Sequence, residues 1–567
     1  MDQLQEAGRE RTARTSTSRN ILQRSSFRLV CVFWGTYLVF FLASNRVVNI
    51  YDEGILLTAV MRTMAGQVLH RDFYYNYGPA QLYILAGLFK LFGSSVLVER
   101  LTALSASAFL GTTIYALARK FCTELVSFGA LLLAILWMIG ENLMQSFLIS
   151  SVCALLLWST YLTLRKPGAA LSRRRVFAAG LLVGILTTFR YDMGFFVAAS
   201  HVVTLTVVLW LDPEERSARL RSIAMQVCCY LAGFAAIVIP VIGAYAAVAP
   251  MHDLLYDIVL YTARYYRAGR ALPPPSFTWG PQFSDTVVYI LPILVCMALY
   301  VAIRRIVNEK RSRSNARVPE WVDFLLALAV VAGFLATKGL IRISAGAMYA
   351  CLIPCVVLSA MLYERRSILL TPLRVLLLFV VGFFFVTGLV SARKAFLQER
   401  SMSASTLKWL VAPGKQAPRP PFRSWCRMKT TITKGFCFVL DDDHIQTVEY
   451  LLAHTSPADT LYVGLPHHDR IFINDNITYF ATQRLPATKW SHFDPFLQNR
   501  EDIQREMIGE LERNRPPYVV LDSEFDKAHE PNGSSVSTGV HLLDDYIAAH
   551  YTLVQRFGEM TILKRQG

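Results

Sequence analysis

Charge is scarce in this chain. Asp, Glu, Lys and Arg together make up 17% of its 567 residues while apolar residues reach 54%, and the mean hydropathy is +0.37. A composition so apolar excludes an ordinary soluble enzyme. Several signatures are missing as well. There is no glycine-rich phosphate loop and no nucleophile elbow, which leaves out nucleotide enzymes built on the first and hydrolases built on the second. The cysteines show no spacing with further ligands that would make a zinc site. No cleavable signal is evident, because the tail before Phe27 is long and polar and the first apolar run lacks a small-residue cleavage site; that run reads as a signal anchor. Nor does the chain divide into two matching halves with broken helices, which counts against a transporter built from inverted repeats.

What is present is a series of apolar runs, at 27–44, 101–117, 125–139, 147–164, 176–189, 193–211, 223–249, 287–303, 322–337, 345–363 and 373–390. They predict an α-helical polytopic membrane protein with about eleven transmembrane helices, several of them shorter than the roughly 20 residues of a straight span. Lys and Arg collect on the cytoplasmic side of such proteins. Here they crowd the N-terminal tail (Arg9, Arg11, Arg14, Arg19, Arg24, Arg28), Arg165 and Lys166 with Arg173 to Arg175, and residues 216–221 and 304–317. That places the N-terminus inside, and residues 46–99 and everything after about residue 390 outside. The net charge of +16 is largely accounted for by the inside loops, so nucleic acid is not implied as a partner.

The expected layout is a basic cytoplasmic tail (1–27), a transmembrane domain (28–392) carrying the external loop 46–99, a linker (393–421) and an extracytoplasmic α/β domain (422–567). The linker contains APGKQAPRPP; in the domain TLYVGL, PYVVLD, TLVQRF and MTILKR read as strands, and 444–453 and 502–513 as helices. Cys426 and Cys437 are the two thiols of this outer part, in a compartment that permits a disulfide, and the intervening RMKTTITKG can form a hairpin that brings them together. Mass spectrometry without reductant should find both thiols oxidised, a closure that stabilises by at most about 3 kcal/mol. The acids of DDD (Asp441 to Asp443) and HHD (His467 to Asp469) fit solvated loops and a helix N-cap better than a ligand set, so no metal site is assigned.

The external loop concentrates the chemistry. In YDEGILLTAVMRTMAGQVLHRDFYYNYGPAQLYILAGLFKLFGSSVLVERL, Leu56, Leu57, Val60, Met61 and Met64 share one helical face, so 55–65 reads as an interfacial helix ended by Gly66. HRDFYYNYGP follows as a polar, aromatic loop, and 80–92 as a second, shallow helix. Asp52 and Glu53 then stand at a helix N-terminus, where capping and the helix dipole alone would suit them. Capping leaves HRDF and YNYGP unexplained. Arg190 and Asp192 in FRYD interrupt the apolar stretch 176–211, and ionisable groups at such depth are paired or functional.

An Asp-Glu pair after the first span, a surface helix ending in Gly, His-Arg-Asp-Phe, an aromatic-Gly-Pro turn and a helix ending in Phe-Gly before an Arg resemble the first external loop of the C-type glycosyltransferases. Within them the pattern is similar to the bacterial branch related to protein O-mannosyltransferases and the lipid A aminoarabinose transferase. The resemblance implies a hexosyl- or pentosyltransferase of the bacterial inner membrane that takes sugar from a polyprenyl-phosphate-linked donor to a hydroxyl acceptor on the extracytoplasmic face. Asp52 matches the family's catalytic acid and Glu53 its neighbour. A hydroxyl acceptor needs a positioned base, and a lipid phosphate leaving group needs cations. Candidates for binding substrate are Arg71, Asp72, Tyr75, Arg190, Asp192, Arg264, Arg267, Arg270, Lys338 and Arg342. KGLIRISAGAMY departs from the related pattern, in which an acid and a histidine accompany the arginine; Ser344 and Ala347 stand there instead, which leaves Arg342 as a phosphate contact. The resemblance demands no cofactor and leaves room for a divalent metal. The alternative is a lipid or polysaccharide transporter or flippase, which would share the helices and the buried charge but would need no base.

Overall fold

The computed structural model describes residues 26–44, 47–143, 146–165, 171–211, 216–279, 282–311, 318–397, 422–424 and 438–566. Most of the basic tail, most of the linker, Cys426 and Cys437 lie outside these residues. Every apolar run of the sequence is a helix. Among the described residues seven are long and apolar enough to cross a membrane: Ser26–Ala43, Val96–Phe121, Tyr191–Trp210, Ser217–Ala246, Phe283–Glu309, Glu320–Gly339 and Thr371–Ala395. The other four, Glu124–Gly140, Phe147–Leu162, Arg173–Phe189 and Tyr349–Glu364, have 16 or 17 residues. At 1.5 Å per residue such helices reach about 25 Å, short of a 30 Å hydrocarbon layer. Tyr349–Glu364 is enclosed by its neighbours over residues 349–362, so it has no lipid thickness to match. Arg173–Phe189 packs closely on Arg216–Ala246: a Cβ on Gly180 would meet Tyr230 O at 2.1 Å and one on Gly233 would meet Phe177 O at 2.2 Å. Small residues at a helix crossing let the backbones approach where lipid offers no hydrophobic drive.

The loop after the first helix folds as its glycines dictate. Helix Asp52–Met64 stops before Gly66 (φ 84°), a turn follows in which His70 N donates to Phe73 O, and helix Ala80–Phe92 ends at Gly93, also at φ 84°. Ser95 then caps the next span by accepting from Val98 N. Asp52–Met64 is covered on both sides, with residues 53–60 all buried. One side meets the bundle and the other the C-terminal domain, which is why its apolar face alone did not describe its surroundings.

That domain is a five-stranded sheet of order β4-β3-β5-β7-β6, with β3 (Thr460–Gly464) parallel to β4 (Leu485–Pro486) and β5 (Tyr518–Asp522), β7 (Met560–Arg565) antiparallel to β5, and β6 (Tyr551–Phe557) antiparallel to β7 at the edge. Helices Asp442–His454, Glu501–Asn514 and Leu542–His550 complete it. A separate pair, β1 (Phe422–Ser424) and β2 (Val439–Asp441), runs antiparallel, and Val439 bridges Val47 just after the first helix. The domain is seated on the loop by backbone contacts. Asn476 N and Ile477 N donate to Ile50 O, Thr58 Oγ1 donates to Asn476 O, and a Cβ on Gly54 would lie 2.6 Å from Ile477 N. The buried Arg62 ties the two together, donating to Thr488 O, Ser491 Oγ and Asp72 O.

Candidate active site

Asp52 opens its helix, but it does not cap it. Asn49 does: its Oδ1 accepts from Tyr51 N and Asp52 N, while its Nδ2 donates to Asp52 Oδ2 at 3.2 Å. The carboxylate of Asp52 is thus free of a structural duty at the helix end. Glu53 turns the opposite way. It is buried, forked onto Arg100, and accepts from Asn49 N at 2.7 Å. Glu99 lies beside the pair, 3.8 Å from Arg100 Nε.

Facing Asp52 are groups that the sequence scatters over more than 400 residues. Arg270 donates to Tyr51 OH at 3.3 Å and to Asp494 Oδ1 at 2.8 Å. Tyr51 OH also lies 3.4 Å from Phe493 O and from His492 Nε2. His492 is neutral, because burial, with Arg270 beside it, depresses its imidazole to about 4 despite Asp494. Arg342 forks onto Glu530 at 2.9 and 2.6 Å and reaches Arg270 O at 3.4 Å. Burial raises the Asp52 carboxyl above the usual carboxylate range, against Arg270, Asn49 and Arg342, which pull it down. Its side chain is nonetheless open to the surface, crowded by its neighbours rather than enclosed.

A second charged group adjoins the first through Tyr77. The Tyr77 ring carries the Arg190 guanidinium 5.4 Å from its centroid, and its hydroxyl, held above the ordinary value by burial, feels both Arg190 and Asp52. Arg190 pairs with Asp192 at 3.1 Å and donates to Tyr349 OH; Lys338 pairs with the other oxygen of Asp192. Two cations share one carboxylate there.

Of the residues singled out in the sequence, the structure brings Arg270 and Arg342 within electrostatic reach of Asp52 and joins Arg190, Asp192 and Lys338 in the adjoining group. Except for Tyr75, whose ring stands 5.4 Å from that of Tyr77 and 6.4 Å from that of His492, the others lie apart. Arg71 and Asp72 pair with each other at the loop surface, with Asp72 also accepting from Val68 N. Tyr75 is buried, its hydroxyl taken by Gln81. Arg264 and Arg267 are exposed. Sequence reading passed over His492, Asp494 and Glu530; the one local signal was the unassigned SHFDPF stretch. Among the described residues no metal-ligand set includes Asp52, and Glu53, Asp494 and Glu530 are each engaged by an arginine. Among the described residues, the groups that could hold a metal are both in the C-terminal domain, Asp441 with His444 and Glu524, and Asp469 with His541 and Asp544.

No protein-family model and no curated protein sequence matches this chain. Solved structures do. ArnT from Cupriavidus metallidurans bound to undecaprenyl phosphate superposes with a TM-score of 0.52 at 13% identity, over 94% of this chain and 97% of that one. The apo form of the same protein gives 0.53 at 12% identity, over 95% and 98%. An oligosaccharyltransferase from Archaeoglobus fulgidus shows a looser likeness, 0.48 at 12% identity over 88% and 70%. Over nearly its whole length, the chain therefore has the fold of ArnT from Cupriavidus metallidurans.

Proposed function

We propose that the protein is a glycosyltransferase that moves a sugar from a polyprenyl-phosphate-linked donor to a hydroxyl acceptor on the extracytoplasmic face of the bacterial inner membrane, with Asp52 as the base. One observation carries the proposal. Among the acids of the two charged groups and their helix, Glu53, Asp192, Asp494 and Glu530 are each held by an arginine, whereas Asp52 is bonded to an amide and open to the cleft. A carboxylate without a cationic partner, raised above its ordinary value and fixed at a helix start, suits proton abstraction. The acceptor O–H passes its proton to Asp52 as its oxygen bonds to the anomeric carbon. The bond from that carbon to the phosphate oxygen breaks, and the lipid phosphate leaves with the electron pair. Arg270 and Arg342, fixed by Asp494 and Glu530, stabilise that negative charge in a site of low dielectric. Arg190 and Lys338 over the single Asp192 leave one positive charge uncompensated, the complement of a lipid phosphate. The undecaprenyl phosphate bound by ArnT supports a lipid-phosphate donor here. Glu53 supports the site through Asn49 and is not itself aimed into it.

Lipid extracted with the purified protein, identified by mass spectrometry, should include a polyprenyl-phosphate sugar, and that sugar should be transferred to an added acceptor. A protein that transports such a lipid with no transfer would overturn the reading. Sidedness is open to direct measurement. In a background lacking Cys426 and Cys437, single cysteines replacing the exposed Ala65 and Glu512 should label with an impermeant thiol reagent in intact cells, and one replacing Arg174 only after lysis. The reverse pattern would put the cleft in the cytoplasm and remove the donor side assumed here.

A further inference from the structure

The C-terminal domain holds a buried acidic cluster that the cleft does not use. His444, in the first turn of Asp442–His454, is 2% exposed at its side chain. Its Nδ1 is fixed by Asp441, at 2.8 Å from Oδ1 and 2.7 Å from Oδ2. Its Nε2 has no hydrogen-bond partner and points between two fully buried carboxylates, 3.8 Å from Asp475 Oδ2 and 3.8 Å from Asp522 Oδ2. Asp522 Oδ2 is likewise unpartnered, although its Oδ1 accepts from Glu524 N. Glu524 is exposed and within ligand reach of Asp441 and His444, so the cluster has an acidic mouth.

A buried imidazole nitrogen and a buried carboxylate oxygen are each costly to leave unpaired, and 3.8 Å is too long for a hydrogen bond between them. The spacing suits a common ion. Two atoms each about 2.1 Å from one metal lie roughly 3 to 4 Å apart. The Asp441 contact at Nδ1 is the carboxylate–histidine arrangement that fixes an imidazole for metal binding through its other nitrogen. One nitrogen with several carboxylate oxygens is a donor set for zinc, manganese or cobalt.

We propose that His444 Nε2 and Asp522 Oδ2, with Glu524 at the mouth and Asp475, already held by Thr478, behind them, bind a divalent transition-metal cation in the C-terminal domain. The ion is structural. It joins the end of β2 and the end of β5 to Asp475, which accepts from Ile477 N and Thr478 N at the start of Ile477–Thr482. That helix rests on Asp52–Met64, and β2 is bridged to Val47, so the ion would lock the domain onto the two stretches that flank Asp52. The site does not depend on what the cleft transfers.

The full-length protein, purified in detergent and washed with a weak chelator, should carry about one zinc, manganese or cobalt ion per chain by plasma mass spectrometry. His444→Ala and Asp522→Asn should each lose it, and Asp52→Asn should keep it. Because the variants risk misfolding, the parent protein provides an independent reading: a strong chelator should lower its melting temperature, and added zinc should restore it. Parent protein that holds no metal and gains no thermal stability from added zinc, manganese or cobalt would overturn the proposal, leaving a proton or a water between these groups. Full metal content in both variants would equally overturn it.

Discussion

Asp52→Asn should fold, insert and bind the lipid-linked donor, yet transfer sugar on the order of 10² to 10⁴ times more slowly than the parent chain, the usual loss when a general base is removed. The substitution is nearly isosteric and removes only the proton-accepting oxygen. It spares the helix start, because the cap is Asn49 Oδ1 and not the Asp52 side chain. Stability sharpens the distinction. The folded-state carboxyl is raised, so its ionisation is a cost to the fold that is absent below the ordinary carboxylate value and fully present above the raised one. Removing the charge should therefore leave the melting temperature at neutral pH unchanged or higher. A structural Asp would show the opposite, lower stability with activity retained per folded molecule. The same shift sets the acid limb of the pH profile: transfer should fall as pH drops through a value above the usual carboxylate range, and Asp52→Asn should lack that limb in its residual rate. Near-normal turnover by Asp52→Asn would overturn the assignment.

How far this site is legible in the sequence depends on the range of the interactions. Asp52 and Glu53 stand out because two adjacent carboxylates follow an apolar run, and the glycines at 66 and 93 mark the ends of two helices by a conformation other residues avoid. Those are local signals. The opposite faces of the two acids are equally local in origin, since adjacent helical positions diverge by about 100°, but which face meets Arg100 is decided by packing. Arg270 could not be told from Arg264 and Arg267. The segment winds through two π-helical turns, Tyr256–Leu260 and Thr262–Tyr266, before Arg267–Arg270, and so the 3.6-residue period that assigns faces does not hold across it. Asp494 and Glu530 belong to a different domain and have no motif of their own; they matter because the domain closes over the loop. Helix existence was readable from hydropathy at all eleven apolar runs, whereas helix length was not. Phe147–Leu162 and Tyr349–Glu364 are as apolar as true spans, and only their enclosure explains their 16 residues.

Arg100→Met should destabilise the protein by about 3 to 5 kcal/mol, more than Glu53→Leu does, although the two residues form one ion pair. The asymmetry comes from Glu99. Arg100 is held by Glu53, by Val47 O at 3.0 Å and, at 3.8 Å, by Glu99. If Glu53 is removed, Glu99 remains to compensate the guanidinium. If Arg100 is removed, the buried carboxyl groups of Glu53 and Glu99 are left beside each other without this guanidinium, and a buried pair broken on that side keeps the desolvation penalty of Glu53. Melting temperature in detergent and the yield of folded protein measure the order. The double variant Glu53→Leu with Arg100→Met should recover much of the loss of Arg100→Met alone, because an apolar pair of similar volume can replace a buried ion pair at little cost. Activity separates position from chemistry. Glu53 acts on Asp52 through the Asn49 backbone and side chain, so folded Glu53→Gln, which keeps an acceptor oxygen for Asn49 N, should lose far less than Asp52→Asn and up to about 10²-fold if the base is displaced by an ångström. If folded Glu53→Gln is as inactive as Asp52→Asn, then both carboxylates take part in the proton transfer. The buried pair with Arg100 would in that case be a resting arrangement that opens when substrate binds.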